Sequence, residues 1–348
     1  MNALTEAHRA AALASTVDPV ALAAAHVHFD RLSGTAELEH VLFNALRGSA
    51  AARFEIHGPD GAGKSSTIAR VVRDLTALDD AAHEALWLSV GDPRALDGTL
   101  AFAQHLIATV AGQAYRFASN IQAAIQGAGA DEVTVHEEQT TRHAEIAVDA
   151  RVISGRYGLD LAERFSDLKW GAQPQSAKSD LEAIVTALRV AGRRPLVVID
   201  DTEKFALTAD GAIDEEALVG LVAHAIPMMA ELGVDVLVAT HPRFAGCAAY
   251  EKARTKWLKR TSIPSLSLRV DDGLPLGAII NRHLAAHGVQ SRWSEIFEPT
   301  VLHQLQTLYF ANDRNLRTVL DRAQASVDIG AADAAALVRP NHLYRALA

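Results

Sequence analysis

A chain of 348 residues that is 49% hydrophobic can bury a large core, and its net charge of −9 excludes a surface coated in positive potential. The single cysteine, Cys247, excludes an intrachain disulfide and fits a reducing cytoplasm; among Ala245, Gly246, Ala248 and Ala249 it reads as a small buried hydrophobe. No apolar run reaches membrane-spanning length, because Asp18 and Asp30 interrupt the N-terminus, and no basic start marks a signal peptide. One α/β domain with a smaller companion, cytoplasmic and away from membranes, is the expectation.

Residues 1 to about 45 are alanine-rich with apolar positions at helical spacing, predicting a helical segment packed on the α/β domain. Within it, Val27 and Phe29 are candidates to cover a bound base. An apolar run, Phe54-Glu55-Ile56-His57, then leads into Gly58-Pro59-Asp60-Gly61-Ala62-Gly63-Lys64-Ser65-Ser66, and a helical pattern resumes at Ile68. Strand, glycine-rich turn and helix N-terminus is the context of a phosphate-binding P-loop. The glycines let backbone N–H groups close around phosphates, Lys64 reaches the β- and γ-phosphates, and the Ser65 hydroxyl holds Mg²⁺. All nine residues from Gly58 to Ser66 are candidate nucleotide ligands.

A buried-strand run at 85–90 ends in Gly91-Asp92-Pro93, and a helix is predicted from Leu100 to about Ala124. A loop at 126–130 precedes a β-like stretch at 133–153. There Ile146, Val148, Ala150 and Val152 alternate with Glu145, Ala147, Asp149 and Arg151, a half-buried hairpin signature. Helix resumes at Ser179, a candidate N-cap with Glu182 as its partner. The apolar run from Leu196 to Ile199 predicts a central parallel strand that delivers Asp200 and Asp201 at its C-terminal end. Asp200 is a candidate Mg²⁺ ligand, while Asp201 or Glu203 could orient the water of a hydrolysis.

A helix at about 214–232 feeds a strand ending in Thr240, and a second helix leads to a strand at 262–268, which Pro264 places at a sheet edge. Beyond Leu274 the pattern is helical only, with segments near 275–287, 298–310, 314–328 and 340–347. His283 and His287 have i, i+4 spacing, but no metalloprotease glutamate accompanies them and no third ligand is evident, so both read as satisfied helix residues.

The order of these motifs resembles the AAA+ ATPases, above all the initiator-type branch related to origin-recognition proteins, with likenesses to STAND-type switches and transposition regulators. The resemblance covers about residues 29 to 328. It implies an α/β fold: a parallel-sheet P-loop core at 46–270 with a hairpin-containing insertion at about 127–178, followed by a small all-α lid at 271–348. Lys64 and Asp200 are 136 positions apart, 200 − 64, more than a compact core of this family needs, hence the insertion. The resemblance further implies ATP and Mg²⁺ as cofactors and an oligomer. It gives Thr240 a "sensor 1" role at the γ-phosphate, and makes Arg260 in Lys259-Arg260-Thr261 an arginine that reaches the neighbouring subunit. It also sets Arg314 on the "sensor 2" arginine of Ala311-Asn312-Asp313-Arg314, with Arg317 as an alternative. Ala311 stands where that motif has glycine, and Asp201 stands where many members carry glutamate. No winged-helix pattern follows the lid before Ala348, and the charge is acidic. The expectation is therefore an ATP-driven switch for a partner protein, with a DNA-associated ATPase as the alternative and a P-loop kinase as the third reading.

Overall fold

The computed structural model describes residues 2–14, 18–27, 38–48, 50–77, 83–88, 90, 92–112, 174–208, 211–263, 275–312 and 314–348. The hairpin expected at 133–153, most of the insertion, Phe29, Pro264 and the core–lid boundary at 271 lie outside these residues.

Five strands form one parallel sheet: β1 (Arg53–His57), β2 (His83–Leu88), β3 (Arg194–Ile199), β4 (Asp235–Thr240) and β5 (Lys259–Ser262), in the order β2-β3-β4-β1-β5. β3 and β4 are apolar along nearly their whole length because both of their faces are covered. Successive side chains alternate between two cores. Leu86, Val197, Ile199, Val236 and Val238 face the helices Thr99–Gly112, Pro174–Val190 and Ala248–Trp257. Ile56, Leu196, Val198, Leu237 and Ala239 face the helix Lys64–Thr76, the N-terminal helices and the C-terminal ones. The C-terminal helices thus share a hydrophobic core with the sheet, through Leu276, Ile280, Leu302 and Val319. Cys247 is fully buried, as expected.

Several details differ from the sequence reading, among them the strand expected at 85–90, which is His83–Leu88. Ser179 lies inside the helix Pro174–Val190, which starts earlier because proline suits a first helical turn, where its missing N–H has no partner to lose. The helix expected at 214–232 contains a π-turn, Leu221–Ala225, directly before Ile226–Glu231, where Pro227 cannot donate to the helical ladder. The last strand is at the sheet edge as expected, but it begins at Lys259, pairing with β1 so that Arg260 stands opposite Glu55. Lys-Arg-Thr-Ser has no apolar pattern, so charge pairing rather than hydrophobicity sets its register. The C-terminal helices, Pro275–Ala286, Pro299–Ala311, Leu316–Ala332 and Pro340–Leu347, match the four predicted segments. Among the described residues no helix is long and apolar enough to cross a membrane.

Candidate nucleotide site

The turn after β1 is built as its residue types require. Gly61 and Gly63 take φ of 67° and 97°, a region costly to side chains with a Cβ, and Gly63 caps the helix Lys64–Thr76. The Gly58 N–H donates to the Thr240 carbonyl at 3.1 Å, tying the turn to β4. Lys64 is buried, and its ammonium donates to the carbonyls of Gly58 and Pro59 at 2.8 and 3.1 Å. It curls over its own loop and lies 3.3 Å from the Glu203 carboxylate.

β3 delivers the acids at the level of this turn. Asp200 accepts a hydrogen bond from the Ser65 hydroxyl. Burial pushes its carboxyl above the ordinary range, opposed by the bonds from Ser65 and the Asp201 N–H, while the neighbouring Asp201 and Glu203 charges push it further up. The Ser65–Asp200 pair is an all-oxygen donor set that suits Mg²⁺, a cation that takes its remaining ligands from water and substrate phosphate. Bound there, the cation would neutralise phosphate charge; Ser65 and Asp200 are the residues that would hold it. Asp201 sits at φ 52° and turns its carboxylate to Lys204 at 2.7 Å.

A cavity of about 320 Å³ opens over these groups, a size that accommodates a small-molecule ligand. Its lining combines the polar Asp60, Lys64, Ser65, Asp200, Asp201, Glu203 and Lys204 with His283 and the apolar Leu22, Leu316 and Leu320. Both kinds of surface are needed for a ligand that joins phosphates to an apolar, planar group. Two walls come from far away in sequence. The N-terminal helix Pro19–Ala25 contributes Leu22 and leads to the buried His26. The imidazole of His26 bonds Glu39 at 2.7 Å and approaches the Ser66 hydroxyl to 3.3 Å. The C-terminal helices reach the turn itself: the Leu316 N–H donates to the Gly61 carbonyl at 3.1 Å.

The remaining predicted residues separate. Arg317 lines the cavity, whereas Arg314, at φ 61°, is exposed and outside the lining. Thr240 is fully buried, and its hydroxyl donates to Glu55 at 2.7 Å rather than into the cavity. Arg260 donates to the same carboxylate from Nε and from a terminal nitrogen at 2.8 and 2.9 Å, and it also bonds Glu251. Tyr250 and Arg254 complete the ring around fully buried Glu55. Burial would raise the Glu251 carboxyl, but the bonds from Arg260 and Arg254 hold it below its ordinary value.

Sequence reasoning missed His26, Leu22, His241 and the site role of His283. His283 is not a satisfied helix residue: its Nδ1 is buried with no hydrogen-bond partner, and burial lowers its pKa to about 4, keeping the ring neutral beside the cavity. Burial lowers the pKa of His241, directly after β4, whose ring also feels the charges of Asp60, Lys64 and Glu203. Of the residues assigned to a base, Val27 packs against the core.

No protein-family model and no curated protein sequence matches the chain. Solved structures do. The Aeropyrum pernix ORC2 protein in its ADPNP–ADP complexes aligns over 89% of this chain and 66% of its own, at 14% identity and a TM-score of 0.52. The A. pernix ORC1 protein in complex with DNA aligns over 89% and 62%, at 15% identity and a TM-score of 0.48. The chain shares the fold of the ORC2 protein, a parallel-sheet α/β core followed by helices. The chain thus spans just under two thirds of the length of those two proteins. This fold places the glycine-rich turn beside β4 and the acids at the end of β3, which is where the cavity lies.

Proposed function

We propose that the chain is an ATP-binding and ATP-hydrolysing switch, in which nucleotide occupancy sets the contact between the P-loop and the C-terminal helices. The observation that carries this reading is the convergence of Lys64, the Ser65–Asp200 pair and the Leu316–Gly61 hydrogen bond on one cavity. Ligand binding at the P-loop touches the lid directly, so occupancy can bias its position. Nucleotide in the ORC2 neighbour supports the same reading. Phosphates entering the cavity draw Lys64 off Gly58, Pro59 and Glu203, exchanging two carbonyl bonds and one ion pair for phosphate oxygens.

As the partner, we favour DNA over the partner protein placed first in the sequence analysis, on the exposed lysines of the helix Ala248–Trp257 and of β5. Lys252, Lys256 and Lys259 are exposed and could contribute phosphate contacts, whereas Arg254 and Arg260 are held by carboxylates. The oligomer and the roles of Thr240, Arg260 and Arg314 belong to this proposal too. Arg260 must leave Glu55 and Glu251 before it can serve a neighbouring subunit.

Lys64→Ala tests the core of the reading. A fluorescent ATP analogue should bind the wild type and lose at least ~10-fold in affinity in the variant, as removal of one charge-assisted phosphate contact predicts. Undiminished binding by a folded Lys64→Ala protein removes the P-loop assignment. DNA binding is tested by titrating salt in the presence of ATP, where a log–log slope of several units is expected.

A further inference from the structure

We propose that Glu203, not Asp201, is the general base that activates the attacking water. The proposal rests on the ATPase reading above and deepens it. Position in sequence favours Asp201, which directly follows the magnesium-facing Asp200 on the apolar strand. The backbone decides otherwise. Asp201 is one of four non-glycine residues with positive φ among the described residues, and at φ 52° it leaves the strand direction as the chain turns into the short helix Glu203–Ala206. Its carboxylate is directed to Lys204 at 2.7 Å, in a pair whose side chains are 36% and 58% exposed. A solvated carboxylate already engaged by a lysine makes a weak, poorly positioned base.

Glu203 has the opposite surroundings. Its side chain is 21% exposed, and it lies 3.3 Å from the Lys64 ammonium. Its Oε1, the oxygen that faces Lys64, is buried and accepts no hydrogen bond, so this ion pair is its one contact with a donor group among the described residues. A P-loop lysine marks where the β- and γ-phosphates lie. A carboxylate within contact distance of that lysine is therefore within one water of the γ-phosphorus. When phosphates take Lys64, Glu203 loses its counter-ion and needs a donor; a water between it and the phosphate supplies one. In the step itself the water oxygen bonds to the γ-phosphorus. The bond from that phosphorus to the β–γ bridging oxygen breaks, its electron pair leaves with ADP, and the water proton passes to the Glu203 carboxylate. The proton then returns to solvent, leaving ADP and inorganic phosphate.

The same geometry gives Glu203 a second, independent signature. Its ion pair with Lys64 competes with incoming phosphate for that ammonium, so its neutralisation should favour binding. Glu203→Gln, Glu203→Asp and Asp201→Asn are compared with the wild type by ATP turnover and by affinity for a fluorescent ATP analogue, each variant first checked by thermal unfolding. Glu203→Gln should lose ~100-fold or more in kcat, the usual share of a positioned base, while binding the analogue several-fold more tightly. Glu203→Asp, which keeps the charge on a shorter arm, should fall between. Asp201→Asn, which removes a cavity-lining charge engaged by Lys204, should lose at least ~10-fold less kcat than Glu203→Gln and should not tighten analogue binding as Glu203→Gln does. Turnover lost in Asp201→Asn and kept in Glu203→Gln overturns the assignment alone. Absence of Lys64-dependent hydrolysis in the wild type overturns the ATPase reading together with it.

Discussion

The contact between the P-loop and the lid can be tested at Gly61. A Cβ built on this glycine would lie 2.0 Å from Oδ1 of Asn315 and 3.1 Å from the Arg317 backbone nitrogen. Asn315 cannot swing away without loss, because Oδ1 caps the helix Leu316–Ala332 by accepting from the Thr318 N–H at 3.0 Å. Gly61→Ala thus combines two costs: about 1–2 kcal/mol for alanine at φ 67°, and about 1 kcal/mol for the displaced cap. The expected destabilisation is about 2–3 kcal/mol, read from the urea midpoint at constant m-value. Asn315→Ala alone should cost about 1 kcal/mol. The double variant should fall short of the sum by a similar amount, since the cap can be lost only once. Nucleotide affinity should fall in parallel, because the same contact closes the cavity. A Gly61→Ala protein within ~0.5 kcal/mol of wild type, or strict additivity with Asn315→Ala, would refute the reasoning.

Two further outcomes stem from buried charge. Glu55→Ala leaves the guanidinium groups of Arg254 and Arg260 to share one carboxylate, Glu251; it should cost about 3–5 kcal/mol in denaturant unfolding, against less than ~0.5 for exposed Lys256→Ala. His283, neutral in the folded chain with a pKa of about 4 against an ordinary 6.5, makes stability pH-dependent. The unfolded chain binds the extra proton between those values, so stability is fully present above pH 6.5 and is lost as pH falls toward 4. His283→Gln should flatten that part of a stability–pH curve, and an unchanged curve would show that the ring is not buried neutral.

Much of the fold was legible because its signals are local. The P-loop announces itself by glycines at positions of positive φ, and β3 and β4 by uninterrupted apolar runs that only a doubly covered strand tolerates. The C-terminal helices show 3.6-residue periodicity, and three of the four begin with proline. β5 was displaced in the reading because its register depends on Arg260 meeting Glu55 across the sheet. A charged residue gives no periodic signal of its own.

Sequence by itself determined the glycine-rich turn, the order of the motifs, and the identity of the acids offered at the end of β3. Those properties reside in short stretches whose backbone chemistry acts over a few residues. Tertiary structure alone decided which of those residues share the cavity. It sent Thr240 and Arg260 to Glu55, Asp201 to Lys204 and Glu203 to Lys64. It also brought His26 to Ser66 across 40 positions and Leu316 onto Gly61 across the whole core. The physical reason is that a buried polar group must find a partner wherever the fold supplies one. Such partners lie close in space and distant along the chain.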